Sequence, residues 1–298
     1  MTPAAPGSSP LPRWNDTDLP SLLTLDELGP WRYASRFGDA NLNGRAYGGQ
    51  VLGQALMAAC RTVGPGRGAT MLQFLFLQGT DPAQPVEFEV TPLQDGKRFS
   101  SRHVSGRQGD RRVLDANVTF ADELAAPAHG APSSAREDPD ELPAVLAVPQ
   151  AWHESIRRLG GYSAHGKPSL DFRVPELAEQ LDPAKAQPRL RFWLKVRKAL
   201  PAEPHMQAAA FAYLSDWWLN FSSLGVHMRE LRGERRLYIS SLNHAITFHR
   251  PCVADAWLHF DSRSPGAAAG RGLSIAAVHD REGRLVATAS QECLMAYA

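Results

Sequence analysis

Three cysteines in 298 residues, Cys60, Cys252 and Cys293, are too few and too widely spaced for a disulfide framework or a paired-cysteine metal knuckle, which fits a reducing compartment. No hydrophobic run approaches membrane-spanning length, and the first 20 residues lack both the basic start and the apolar stretch of a secretory signal. An excess of either charge is missing as well. The 32 Lys and Arg against 31 Asp and Glu leave a net charge of +1, without the basic footprint of a nucleic-acid or membrane-surface binder. At 43% hydrophobic and 21% charged residues, there is ample apolar material for a core, and disorder of the whole chain is excluded. The expectation is a cytoplasmic protein with no nucleic-acid partner and no membrane span.

What is present is a pattern written twice. Residues 122–150 carry Pro127, Pro132, Pro139, Pro143 and Pro149 among Ala, Ser and acidic residues, which blocks regular helix and reads as a linker. Before it, Val51, Leu52, Ala55, Leu56 and Ala59 recur at helical spacing after Gly48-Gly49, predicting a buried helix over 49–63. Strand-like runs follow at 71–77, 86–90, 99–104 and 114–120. After the linker, an Ala-rich apolar segment at 206–219 precedes strand-like runs at 237–248, 257–261, 272–278 and 284–294. Phe76 and Phe248, Phe88 and Phe260, and Leu114 and Val286 are each 172 residues apart, which predicts a duplication matched without gaps across the strands.

One helix followed by antiparallel strands is an α+β module, and two tandem modules can join their edges into one continuous sheet, the double hot-dog arrangement. The expected division is a disordered or irregular N-terminal segment at 1–22, a first module at 23–121, a linker and crossover at 122–187, and a second module at 188–298. Alternating Leu190, Phe192, Leu194 and Val196 predict the second module's opening strand at 189–196.

Asp216, in Leu214-Ser215-Asp216-Trp217-Trp218, ends a segment otherwise free of charge from Met206 onward. A carboxylate on a buried helix costs several kcal/mol unless satisfied, so it marks either a structural cap or a site. Gly48-Gly49 at a helix start can expose backbone N–H groups to a carbonyl oxygen as an oxyanion hole, or simply provide a tight entry.

Ala46-Tyr47-Gly48-Gly49-Gln50-Val51-Leu52-Gly53-Gln54-Ala55-Leu56, the Leu-Ser-Asp-Trp-Trp segment, Phe248-His249-Arg250-Pro251 and Gln291-Glu292, in that order, resemble the type II acyl-CoA thioesterase family. The resemblance implies the double hot-dog fold, hydrolysis of fatty acyl-CoA to free acid and coenzyme A, and a catalytic trio matched here by Asp216, Ser241 and Gln291. Ser241 stands where the family has threonine and keeps its hydroxyl. The trio as implied binds a water: Asp216 takes its proton while Ser241 and Gln291 aim it at the thioester carbon. The backbone at Gly49 or Gln50 is the oxyanion donor implied by resemblance to hot-dog thioesterases generally. Gln78-Gly79-Thr80 departs from the family's Arg-Pro-Gly turn. Arg45, Lys97, Arg98 and Arg102 are candidates to meet coenzyme A phosphates.

Other chemistries fare less well. Residues 161–166 approach a serine-hydrolase elbow, but His165 replaces the second glycine. His205, His227, His244 and His249 lack zinc spacing, and neither metal nor cofactor is expected. The cysteines read as buried structural thiols. Asp39-Ala40-Asn41-Leu42-Asn43-Gly44 resembles the loop of hot-dog hydratases and dehydratases, with Gly44 where their histidine stands. That activity and non-catalytic acyl-CoA binding are the two rivals. Exposed sheet edges predict a homo-oligomer.

Overall fold

Apolar residues at two periods, helical and alternating, build two copies of the same arrangement. The computed structural model describes residues 10–145, 166–182, 184–231 and 236–297. The first copy comprises α1 (Leu19–Leu23), β1 (Leu25–Gly29), β2 (Arg32–Ser35), α2 (Gly48–Cys60), β3 (Gly68–Phe76), β4 (Glu87–Asp95), β5 (Phe99–Gln108) and β6 (Arg111–Ala121). After residues 122–145, which hold no helix or strand, come β7 (Leu170–Arg173), α3 (Leu177–Gln180), β8 (Arg189–Val196), α4 (Pro204–Ser215) and α5 (Phe221–Leu224). The chain then forms β9 (Leu237–Ser241), β10 (Asn243–Phe248), β11 (Leu258–Ala268), β12 (Arg271–Asp280) and β13 (Leu285–Tyr297). Residues 161–165 of the elbow-like stretch lie outside the described residues. The segment expected to be irregular contains α1, whose Leu19, Leu22 and Leu23 are fully buried.

All 13 strands belong to one antiparallel sheet, ordered β1-β2-β4-β5-β6-β3-β10-β13-β12-β11-β8-β7, with β9 also pairing β13. The two copies meet at β3 and β10, where Leu72 faces Ile246 across the ladder. This is the double hot-dog: the sheet wraps α2 and α4, which run antiparallel against each other. Gly53 makes their approach possible, since a Cβ there would lie 2.8 Å from the Ala209 carbonyl oxygen and 2.6 Å from Leu23 Cδ2. Leu52, Leu56, Phe74, Phe120, Phe192, Phe211 and Phe260, all fully buried, fill the space between helices and sheet.

The expected offset of 172 needs a correction. Val90 pairs Val104 as Ser262 pairs Ala276, so β4 and β5 correspond to β11 and β12 at that offset. Phe76 pairs Leu114, however, whereas Phe248 pairs Ala287, not Val286, so β6 corresponds to β13 at 173. The β12–β13 hairpin has one residue more than the β5–β6 hairpin, and each residue beyond its turn is displaced accordingly.

The run expected as one strand at 237–248 is broken. Ser241 pairs Cys293 and Ala245 pairs Ser290, a shift of one residue against β13 at Leu242. Such a bulge reverses the alternation. His244 and Ile246 are buried on one side of it, and Leu237 and Ile239 on the other, so Ser241 joins the inward face that an unbroken strand would have denied it.

Candidate active site

The amino end of α2 meets the carboxyl end of α4, and Asp216, the residue that follows α4, lies in the joint. Its carboxylate faces Gly48, where a Cβ would stand 2.6 Å from Oδ2, so a side chain at that position would displace it. The backbone N–H of Gly49 donates to the same carboxylate. Negative charge is disfavoured at the end of α4 and favoured at the start of α2, so the antiparallel pair lets one helix compensate for the other.

From the sheet, Gln291 Nε2 donates to Asp216 Oδ1 at 2.6 Å and to Ser241 Oγ at 2.8 Å. Three stretches far apart in sequence are thereby joined through one amide. Gln291 is fully buried, and its Oε1 has no partner among the described residues, a cost accepted to aim both N–H bonds forward. Asp216 and Ser241 instead line a cavity of about 710 Å³, together with Tyr47, Val51, Phe76, Trp217, Trp218 and Ile239. Burial raises the Asp216 carboxyl to about 6, partly opposed by the Gln291 hydrogen bond, the Gly49 N–H and the Lys167 charge. The group is desolvated by protein yet keeps part of its surface open to the cavity, the condition for a base that a water can reach.

Family models of the acyl-CoA thioesterase N-terminal and C-terminal domains match residues 38–121 and 134–295. The chain belongs to the acyl-CoA thioesterase family. It is therefore placed among the thioester hydrolases. Acyl-coenzyme A thioesterase 8 of Mus musculus is 27% identical over 91% of this chain and 87% of its own length. The crystal structure of an acyl-CoA thioesterase II from Mycobacterium marinum superposes with a TM-score of 0.76, at 29% identity, over 94% of this chain and 99% of that one. A hot-dog protein from Alicyclobacillus acidocaldarius shares the fold at a TM-score of 0.74 and 17% identity, covering 93% of this chain and 97% of that one.

In this family member, the N–H groups expected as oxyanion donors already have acceptors. Gly49 N–H is turned to Asp216, and Gln50 N–H reaches the Tyr47 carbonyl at 3.0 Å. The amino end of α2 thus supports the carboxylate. Of the cations expected to meet coenzyme A phosphates, only Arg45 lines the cavity. Arg102 is buried against Asp95 and Thr62, beyond the far end of α2 and about 20 Å from Gly48 along that helix. Lys97 and Arg98 sit in the β4–β5 turn at that same end, where Arg67 binds the Lys97 carbonyl.

All three cysteines are unpaired and buried, and burial raises each thiol away from the reactive thiolate. His244 touches Ser215 Oγ at 3.0 Å rather than Asp216, and burial lowers it to about 3. Among the described residues, no group of three or more His, Cys, Asp or Glu is placed to hold a metal ion, and no helix is long and apolar enough to cross a membrane.

Sequence reasoning missed a second polar group in the cavity wall. Lys167 Nζ lies 2.8 Å from Asp39 Oδ2 and 3.5 Å from Asp16 Oδ1, and stands 4.8 Å from the centre of the Tyr47 ring. Tyr213 also donates to Asp39, at 3.2 Å. Burial raises the Asp39 carboxyl, against the pull of Lys167. The hydratase-like loop thus does reach the cavity, but its carboxylate is tied to a lysine 128 positions away, a pairing that no local pattern signals.

Proposed function

We propose that this chain hydrolyses fatty acyl-CoA thioesters through a water held by Asp216 and Ser241, with Gln291 fixing both. The observation that carries the reading is the amide of Gln291 bridging the carboxylate and the hydroxyl at the wall of a cavity with both apolar and charged lining. At pH 7 a carboxyl raised to about 6 is mostly ionised, so Asp216 is a base stronger than an ordinary aspartate. It takes a proton as the water oxygen bonds to the thioester carbon. The tetrahedral intermediate then expels the thiolate of coenzyme A, which recovers that proton, leaving the free acid. No acyl-enzyme forms.

Ser241 orients the water through its hydroxyl, with less rigidity than a threonine because it lacks the second β-substituent. Apolar walls from Val51, Phe76, Trp217 and Ile239 suit an acyl chain. The same reading places the enzyme in lipid metabolism in the cytoplasm and as a homo-oligomer, an assembly supported by β1 standing as the end strand of the sheet.

The test is Asp216→Asn, with thiol release and acyl-CoA affinity measured together. Loss of thiol release with affinity kept within about threefold supports the water mechanism. Equal turnover in both proteins rejects it. Hydration of crotonyl-CoA without thiol release would select the hydratase rival instead, and binding without any turnover in the native protein would select the non-catalytic one.

A further inference from the structure

We propose that Arg45 and Arg13 form a phosphate clamp at the mouth of the cavity, holding the nucleotide end of coenzyme A; the proposal rests on the acyl-CoA reading above. The charges in the cavity wall are Arg13, Asp16, Asp39, Arg45, Lys167 and Asp216. Lys167 is committed to Asp39 and Asp16, and Asp216 to Gln291 and Gly49. Among the described residues, the two arginines have neither an ion-pair nor a hydrogen-bond partner for their side chains, and both are exposed. A substrate whose reacting end enters a chamber holding three carboxylates must leave its phosphates outside, and among the described residues of the wall the uncommitted cations are these two.

Backbone pairing fixes their place. Arg13 bridges to Gly38, two residues before Ala40, and Ala40 bridges to Ala46, the residue after Arg45. The Arg45 carbonyl also accepts from Asn41 N–H at 2.7 Å. The guanidinium of Arg45 lies across Gly79, filling the space that a Cβ would take. Arg111 binds the Gly79 carbonyl at 2.9 Å and Gln78 Oε1 at 3.1 Å, holding that turn in place. The glycine in Gln78-Gly79-Thr80 therefore has a use: it seats an arginine flat on the cavity rim, its fork open to an anion.

The experiment compares a fatty acyl-CoA with the matching acyl-pantetheine, which carries the same thioester without the phosphates. The ratio of the two kcat/KM values should fall about tenfold or more in Arg13→Ala/Arg45→Ala, the loss of charge-assisted bonds to phosphate. Gly79→Ala should produce a smaller fall in the same direction, because its methyl group displaces only the flexible tip of Arg45. Lys97→Ala/Arg98→Ala, at the far end of α2, should keep the native ratio. An unchanged ratio in the double arginine variant overturns the clamp, as does an equal fall in the Lys97/Arg98 control. If the native protein cleaves neither thioester, the acyl-CoA hydrolase reading fails, and calorimetry with coenzyme A alone decides the clamp. Affinity about tenfold weaker in the arginine variant supports it, and equal affinity overturns it.

Discussion

The two modules carry the same irregularity and make different use of it. β3 shifts register against β6 at Thr70, as the second module does against β13 at Leu242, and these positions are 172 residues apart. At the corrected correspondence, Ala69 matches Ser241 and the fully buried Val118 matches Gln291. α2 is followed by Arg61, whose guanidinium turns to the Leu25 carbonyl and Glu27, whereas α4 is followed by Asp216. The other helix joint is closed as well: α4 begins with Glu203, whose carboxylate accepts the His205 and Met206 N–H bonds at 2.8 and 2.7 Å. The bulge and the joint belong to the architecture, while the linked carboxylate, hydroxyl and amide of Asp216, Ser241 and Gln291 are placed on one copy only.

Making the second module resemble the first should therefore remove activity in graded steps. The largest loss is expected for Asp216→Asn, at about 10³-fold or more in kcat, read as thiol release. The same variant should change how stability depends on pH. A native carboxyl near 6 against about 3.9 unfolded means that the folded state holds a proton which the unfolded state has lost between these values, so stability falls as pH rises across that window. Relative to native protein, the Asn variant should gain up to about 3 kcal/mol between pH 4 and pH 7 in denaturant titrations.

Gln291→Val, which installs the counterpart residue, should cost about 10²-fold in kcat. It also removes a hydrogen bond that favours the ionised carboxylate, so the rising limb of kcat/KM against pH, near 6 in native protein, should move upward. A limb that stays in place would deny Gln291 its hold on Asp216. Ser241→Ala should cost about tenfold, since Asp216 and Gln291 remain paired. In the opposite direction, Val118→Gln places an amide in the first copy, where Arg61 rather than an aspartate follows the helix, and should lower stability by about 1–3 kcal/mol with no change in turnover.

Much of this was legible in the sequence, for identifiable reasons. Helical spacing after Gly48-Gly49 located α2, and alternation at 189–196 located β8, because each periodicity reports a buried face directly. The duplication was also legible, but its last strand was out by one residue, since the longer β12–β13 turn has no hydrophobic signature. The bulge at Leu242 was invisible for a related reason: Leu237, Ile239 and Ile246 read as one apolar run whether or not the alternation reverses between them. Asp216, Ser241 and Gln291 were named through resemblance, and the structure brings them together. The pairing of Asp39 with Lys167 and the engagement of the Gly49 N–H depend on contacts between distant segments, which local pattern does not encode.

A single turnover in ¹⁸O-labelled water, with enzyme in excess over acyl-CoA, tests activation of a water by Asp216 against formation of an anhydride that water opens at the aspartyl carbon. If the carboxylate activates a water, the acid released in that first turnover carries one solvent oxygen and the Asp216 side chain stays unlabelled. Unlabelled acid from the first turnover, with the heavy isotope appearing in the aspartate, would show attack by the carboxylate itself and contradict the account.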